Sequence, residues 1–453
     1  MHDDTLLTDA ARRAARYLDG LARRGVAPTD AALAGLSAFD TALPQAPQDP
    51  RETLALLDAA GSPATAASAG GRYFGFVTGG TLPASLAAHW LATAWDQNAA
   101  FHAASTAVAT LEQVALRWLL DLLRLPADAA GAFVTGATMA NFTALAAARH
   151  AVLARAGWNV EADGLFGAPP VTVVVGAEAH PTLFKALGLL GFGRSRVQRV
   201  PVDGQGRLRA DALPAWHGPA IVCAQAGNVN TGAFDPVVEI ADAARARGAW
   251  LHVDGAFGLW AAASPSLAPL AHGLDRADSW ATDAHKWLNV PYDCGLAFVR
   301  DREALRAAMA VSADYLPGEA AGRNPSDFTP ELSRRARGVD VWAALRTLGR
   351  SGLADLVDRC CAQARRFADE LEAGGATVLN EVVLNQVLVA FGDAATTRRV
   401  VEAVQRDGTC WCGPTVWQGR GAMRISVSGW ATTEDDVTRS VAAILRCAAA
   451  ARG

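Results

Sequence analysis

The chain is short of several features that mark whole classes of protein. It has no excess of charge of either sign: its 453 residues carry 41 Lys and Arg against 45 Asp and Glu, a formal net charge of -4, with a pI near 6.2. That balance gives no electrostatic footprint for nucleic acid or an anionic membrane. No apolar run approaches the roughly 20 residues needed to cross a bilayer. The opening MHDDTLLTDAARRAARYLDG is charged and helical in pattern, without the apolar core of a signal peptide. The cysteines are Cys223, Cys294, Cys360, Cys361, Cys410, Cys412 and Cys447. Their odd number and the lack of repeated CxxC pairs argue for reduced thiols in the cytoplasm, against a disulfide framework or a metal site. Cys410-Trp411-Cys412 reads as strand or turn rather than a redox pair.

What is present is core material. Apolar residues make up 51% and charged residues 19%, and the length calls for two or three lobes. Residues 1 to about 60 read as helices broken by Pro28, Pro44, Pro47 and Pro50. From 131 the pattern turns βαβ. Gly131–Val134 is a short strand, Thr135-Gly136-Ala137-Thr138 a small-residue turn, and Met139–Arg155 a strong helix former. That order aims free backbone N–H groups and a positive dipole end at an anion. Buried strands follow at Val171–Val175 and Pro219–Ala226, the second ending in a turn at Gly227-Asn228-Val229.

The chain is organised around Ala249–Gly295. Trp250–Val253 is an apolar, β-rich run that delivers Asp254 at its C-terminal end, with Gly255-Ala256 after it. Asp278–Thr282 then delivers His285-Lys286-Trp287. An Asp after a strand is commonly a cap or turn residue, and a lone Lys commonly sits on the surface. Together, at the ends of neighbouring strands, they suit pyridoxal phosphate, which needs an amine for its Schiff base and an anion for its ring nitrogen.

The words HVDGAFG and ATDAHKWLNVPYDCG resemble the aspartate and lysine motifs of the group II pyridoxal-phosphate-dependent decarboxylases, the glutamate, aromatic-amino-acid and histidine decarboxylase family. TGATMANFTALAAAR resembles the phosphate-binding turn of that fold, and MRISVSGWATTEDDV the family's C-terminus. The resemblance covers roughly residues 60–450 and is strongest from 131 to 300. It implies an α/β chain of fold type I, like aspartate aminotransferase: a mainly parallel sheet flanked by helices, with a small α/β C-terminal domain. The expected spans are an N-terminal helical dimerisation segment at 1–65, a cofactor-binding domain at 66–345 and the small domain at 346–453. A homodimer acting on a small-molecule amino-acid substrate is implied.

By the same resemblance, Lys286 carries pyridoxal 5'-phosphate, Asp254 pairs with its ring nitrogen, and His180 stacks on the ring. Ala137 and Thr138 hold the phosphate with Asn141 as helper; Ala256 and His285 belong to the cofactor site. Asn228 stands where the family usually has G-T-T, and its amide is expected near the cofactor or substrate carboxylate. Lys185 is read as helix surface. Phe76 and Thr78 match an aromatic segment that touches the substrate side chain, with Gly75 where aromatic-substrate members carry a large residue. Arg424 is expected to bind or position a carboxylate. Residues 311–338 match a lid whose tyrosine protonates the carbanion. Counting back from Arg334-Arg335 puts Phe328 near that tyrosine, with Tyr315 as another donor. The expected reaction is decarboxylation of an L-amino acid to the amine and CO2. The alternatives are decarboxylation with oxidative deamination to an aldehyde, if Phe328 replaces the donor, and transamination.

Overall fold

The computed structural model describes residues 4–311 and 322–452; Tyr315 lies outside them. In chain order the helices used below are α1 (Asp4–Gly20), α2 (Asp30–Gly35), α3 (Pro50–Leu56), α4 (Pro83–Trp95), α5 (Thr106–Leu122), α6 (Ala137–Arg155), α7 (Pro181–Leu189), α8 (Val237–Ala246), α9 (Arg302–Met309), α10 (Arg337–Ala373), α11 (Ala394–Asp407) and α12 (Glu434–Arg452). The strands are β1 (Ala130–Val134), β2 (Thr172–Gly176), β3 (Gln198–Val200), β4 (Ala220–Gln225), β5 (Trp250–Asp254), β6 (Ser279–Asp283), β7 (Gly295–Val299), β8 (Thr377–Val378), β9 (Gln386–Ala390), β10 (Gly413–Trp417) and β11 (Arg420–Ser426).

The chain forms two compact units. One comprises 81–364 with 380–386, and the other 1–80, 365–379 and 387–453. This division differs from the three spans read from the sequence. Residues 1–80 cluster with the C-terminal segments because Tyr73 bridges Trp411, the Arg72 carbonyl accepts from Trp411 N–H at 3.1 Å, and Phe74 N–H donates to the Trp411 carbonyl at 2.8 Å.

The larger unit holds a seven-stranded sheet in the order β1-β7-β6-β5-β4-β2-β3. β3, β2, β4, β5 and β6 run parallel, and β7 is antiparallel to both β6 and β1. All five residues of β1, β5, β6 and β7 are buried, as strands covered on both faces should be. Alanine-rich α6 packs closely on the sheet through Ala144, Leu145 and Ala148, in one core with Val175, Leu187, Leu305 and Phe328. The smaller unit carries a four-stranded sheet, β10-β11-β9-β8. Among the described residues, no helix is long and apolar enough to cross a membrane.

Candidate active site

Strand register brings the chemistry together. Val134 at the end of β1 lies opposite Gly295, and Gly295 lies opposite Asp283 at the end of β6. Gly295 has no side chain, and a Cβ there would sit 2.4 Å from the Gly136 backbone. The turn before α6 therefore rests directly on β7, and Asp283 reaches past Gly295 to the helix start. Gly136 itself has φ +155°, in the range that favours glycine.

Asp283 is the centre of this cluster, and the sequence reading did not single it out. It is 2% exposed. Its Oδ1 accepts the Ala137 N–H at 2.6 Å, and its Oδ2 pairs with Lys286 Nζ at 3.0 Å. His285 Nε2 lies 3.5 Å from Oδ1. His285 Nδ1 accepts the Cys294 N–H at 3.1 Å, which assigns its proton to Nε2, facing Asp283. Burial lowers the His285 pKa. The signal was in the quoted run: Asp283 ends β6 as Asp254 ends β5.

Asp254 sits one strand over, 4% exposed. Its Oδ1 accepts the Ala256 N–H at 3.2 Å and its Oδ2 accepts from Asn141 Nδ2 at 3.1 Å. Asn141 is fully buried one turn into α6, and its amide is spent on Asp254, not on an anion at the helix end. Behind it runs a directed chain. Trp250 Nε1–H donates to Ser279 Oγ at 2.8 Å, Ser279 Oγ–H to His252 Nδ1 at 2.9 Å, and His252 Nε2–H to Asn141 Oδ1 at 2.8 Å. Burial lowers His252 to about 3, so the ring is neutral and the order of donors is set. His252 lies on the same strand face as Asp254, two residues away. Burial raises the Asp254 pKa; His180, then Lys286, Asn141 and the Ala256 amide oppose that rise.

The other predicted residues divide. His180 caps α7, its Nδ1 2.7 Å from Thr182 Oγ1, and it lines a cleft with Ala179, Glu178 and Asp254. Thr138 is half-buried in the first turn of α6. Lys185 is exposed on α7. Besides Asn141, two expectations need correction. Asn228 is 2% exposed. Its Nδ2 donates to Glu178 Oε2 at 3.1 Å and the Gly206 carbonyl at 3.4 Å, while its Oδ1 accepts from Asn230 and Thr231 N–H. Its amide is consumed in holding the turn and has nothing left for a ligand. Phe328 is fully buried in the core with α6 and α9, between Arg302 and Arg323. A core side chain held this way is no substitute for a lid residue.

In the smaller unit, Phe76 is 65% exposed with φ +53°. It rests on Trp411, ring centroids 5.3 Å apart, and Tyr73 stacks on Trp411 at 5.1 Å. A Cβ on Gly75 would lie 2.1 Å from Trp411 Cζ3, so Trp411 fills the space that a large side chain at 75 would need. Thr78 is buried. Arg424 lies on β11, and burial lowers its pKa.

The donor set of the larger unit fits pyridoxal phosphate. Among the described residues each Asp254 oxygen accepts one hydrogen bond, leaving acceptor capacity for a protonated ring nitrogen. The long helix α6 starts after Gly136, one turn before the Asn141 that touches Asp254, and an amine stands one strand over.

The pyridoxal-dependent decarboxylase conserved domain matches residues 41–392. The chain belongs to this family. Among pyridoxal-dependent decarboxylases, tryptophan decarboxylase 1 of Oryza sativa subsp. japonica is 30% identical over 81% of this chain and 78% of its own length. L-2,4-diaminobutyrate decarboxylase of Rhizobium meliloti is 32% identical over 80% and 74%. The crystal structure of Oryza sativa TDC with PLP and tryptamine superposes with a TM-score of 0.90 and 24% identity over 99% of both chains, which places the fold in type I. The chain is thus a pyridoxal-phosphate-dependent amino-acid decarboxylase.

Proposed function

We propose that the chain converts an L-amino acid to its amine and CO2, with Lys286 as the amine that carries the cofactor and Asp254 as the anion at its ring nitrogen. The observation that supports this most is the buried, oriented Asp254 at the end of β5, with Lys286 in the turn after β6 and the α6 N-terminus beside them. The helix start, through Ala137 and Thr138, would hold the phosphate; His180 would cover the ring, and Ala256 and His285 would border it.

When bound, the cofactor accepts the electron pair of the breaking bond to the carboxylate. The chain's part is orientation and charge. Asp254, held by Asn141 and the Ala256 amide, keeps a proton on the ring nitrogen because an opposite charge favours the protonated form. Bond choice follows from which substrate bond is set perpendicular to the ring, a matter of positioning worth several orders of magnitude. A proton would take the place of the lost carboxylate, and Lys286, freed when the substrate amine displaced it, would take the cofactor back as the product amine leaves.

Phe76 and Thr78 are proposed substrate side-chain contacts, and Arg424 a carboxylate contact, on the strength of the resemblance. The aldehyde route rested on Phe328 at the lid, and Phe328 is in the core. A homodimer is part of the proposal: Leu7, Leu33, Leu43 and Leu57 are exposed on the N-terminal segments and suit a second copy. A cytoplasmic location accords with seven free cysteines.

The test uses the chain's scarcity of lysine, since Lys185 and Lys286 are its only two. Borohydride reduction of the holoprotein followed by peptide mass mapping should place the pyridoxyl mass on Lys286, with Lys185 as internal control. Label on Lys185 alone, or on neither, sinks the assignment.

A further inference from the structure

The α6 amide that the phosphate needs is already taken. Ala137 N–H donates to Asp283 Oδ1 at 2.6 Å, a short, charge-assisted contact. The same carboxylate turns its other oxygen to Lys286 Nζ at 3.0 Å. It is 2% exposed, so water screens it little. Its position follows from the backbone: β6, β7 and β1 align Asp283, Gly295 and Val134 in one row, and Gly295 leaves the path clear. Asp283 N–H is itself held by the Ala256 carbonyl at 2.9 Å, which ties the residue to the loop after Asp254.

A helix N-terminus attracts one anion well. Here the chain supplies its own. A phosphate arriving at this turn meets a carboxylate of the same sign within hydrogen-bond reach of the same amide. The carboxylate has two other partners in place, the Lys286 ammonium at 3.0 Å and the His285 Nε2–H at 3.5 Å.

We infer that Asp283 is a positioning residue that occupies the anion cradle of α6 in the cofactor-free chain, yields the Ala137 amide to the cofactor's phosphate, and thereby sets cofactor affinity below what a neutral residue would allow. The inference rests on the phosphate role proposed for the α6 N-terminus. It assigns Asp283 two tasks. In the empty chain it holds the turn and the lysine in register. With a phosphate bound and Lys286 still a free ammonium, it remains as the lysine's counter-charge while the phosphate takes the amide.

The probe is pyridoxine 5'-phosphate, which has no aldehyde and cannot link to Lys286, compared with pyridoxine, which lacks the phosphate. Binding is read by quenching of tryptophan fluorescence in cofactor-free protein. Wild type should prefer the phosphorylated ligand. Asp283→Asn should bind pyridoxine 5'-phosphate about tenfold more tightly, the effect of removing a like charge at short range, while pyridoxine shifts less than about twofold. Asp283→Ser, also neutral and also an acceptor for the Ala137 N–H, should move the same way and serves if the Asn variant folds poorly. Equal weakening for both ligands, or no change, makes Asp283 a structural residue and overturns the inference alone. A wild type that binds the two ligands equally removes the phosphate cradle itself, and the inference with it.

Discussion

Replacing Ser279 with alanine tests whether the directed chain behind Asp254 is real. Ser279 Oγ takes the Trp250 indole N–H at 2.8 Å and gives its proton to His252 Nδ1 at 2.9 Å. Ser279 and His252 are fully buried and Trp250 is 4% exposed, so water cannot replace the hydroxyl. The variant leaves one donor and one acceptor unpaired. Each such group costs about 1–3 kcal/mol, which puts the loss at about 2–4 kcal/mol after partial relaxation. For domains of this size that is a fall in Tm of several degrees, at about 2–4 °C per kcal/mol. The second consequence is specific. The Nε2–H of His252 keeps its acceptor, Asn141 Oδ1 at 2.8 Å, so the ring keeps its tautomer and Asn141 stays on Asp254. Cofactor affinity, read at a temperature where the variant is fully folded, should therefore change less than about twofold. A variant that melts within about 1 °C of wild type would refute the chain.

Asp254→Asn should retain cofactor on Lys286 yet lower kcat by about 10²–10³-fold, the scale of losing one preorganised electrostatic partner, with the absorbance spectrum reporting the retained cofactor. Gly75→Ala should lower the melting temperature, since its Cβ would lie 2.1 Å from the Trp411 ring and overpacking costs about 1–3 kcal/mol; Gly75→Ala with Trp411→Ala should recover part of it. Glu112→Ala should cost about 3–5 kcal/mol, because Glu112 is 1% exposed and pairs at 2.8 Å with the fully buried Arg334; chemical denaturation measures it. Burial raises Asp235 to about 7 against the Leu208 and Gln225 amides that oppose the rise. Such a group contributes stability fully below its ordinary value near 4, lost as pH rises through about 7, on the order of 4 kcal/mol. The Tm deficit of Asp235→Asn should therefore be larger at pH 5 than at pH 8, and an equal deficit would count against it.

Much of the larger unit was legible because its signals are local. Trp250–Val253 is apolar and ends in a charge, so β5 and Asp254 could be read together, and the run before His285-Lys286 reads the same way. The misses depend on distant partners. Asp283 stood in plain view, but its reach to Ala137 requires Gly295 to lie between them in register. Asn228 was correctly in a turn, yet its amide is consumed by Glu178, 50 residues earlier. Phe328 was placed by counting through a segment without periodicity, where position says nothing of burial. The grouping of residues 1–80 with the C-terminal segments turns on Tyr73 meeting Trp411, a pairing no local pattern encodes.

The central claim is a cofactor-bearing lysine that directs loss of CO2. Its most direct test is aerobic turnover of a panel of L-amino acids by the loaded protein, following CO2, amine, aldehyde, keto acid and peroxide together. The account predicts amine and CO2 in equal amounts from at least one substrate, with no peroxide, and none of it from Lys286→Ala. Keto acid without CO2 would contradict it, and aldehyde with peroxide would contradict the assignment of the amine as product.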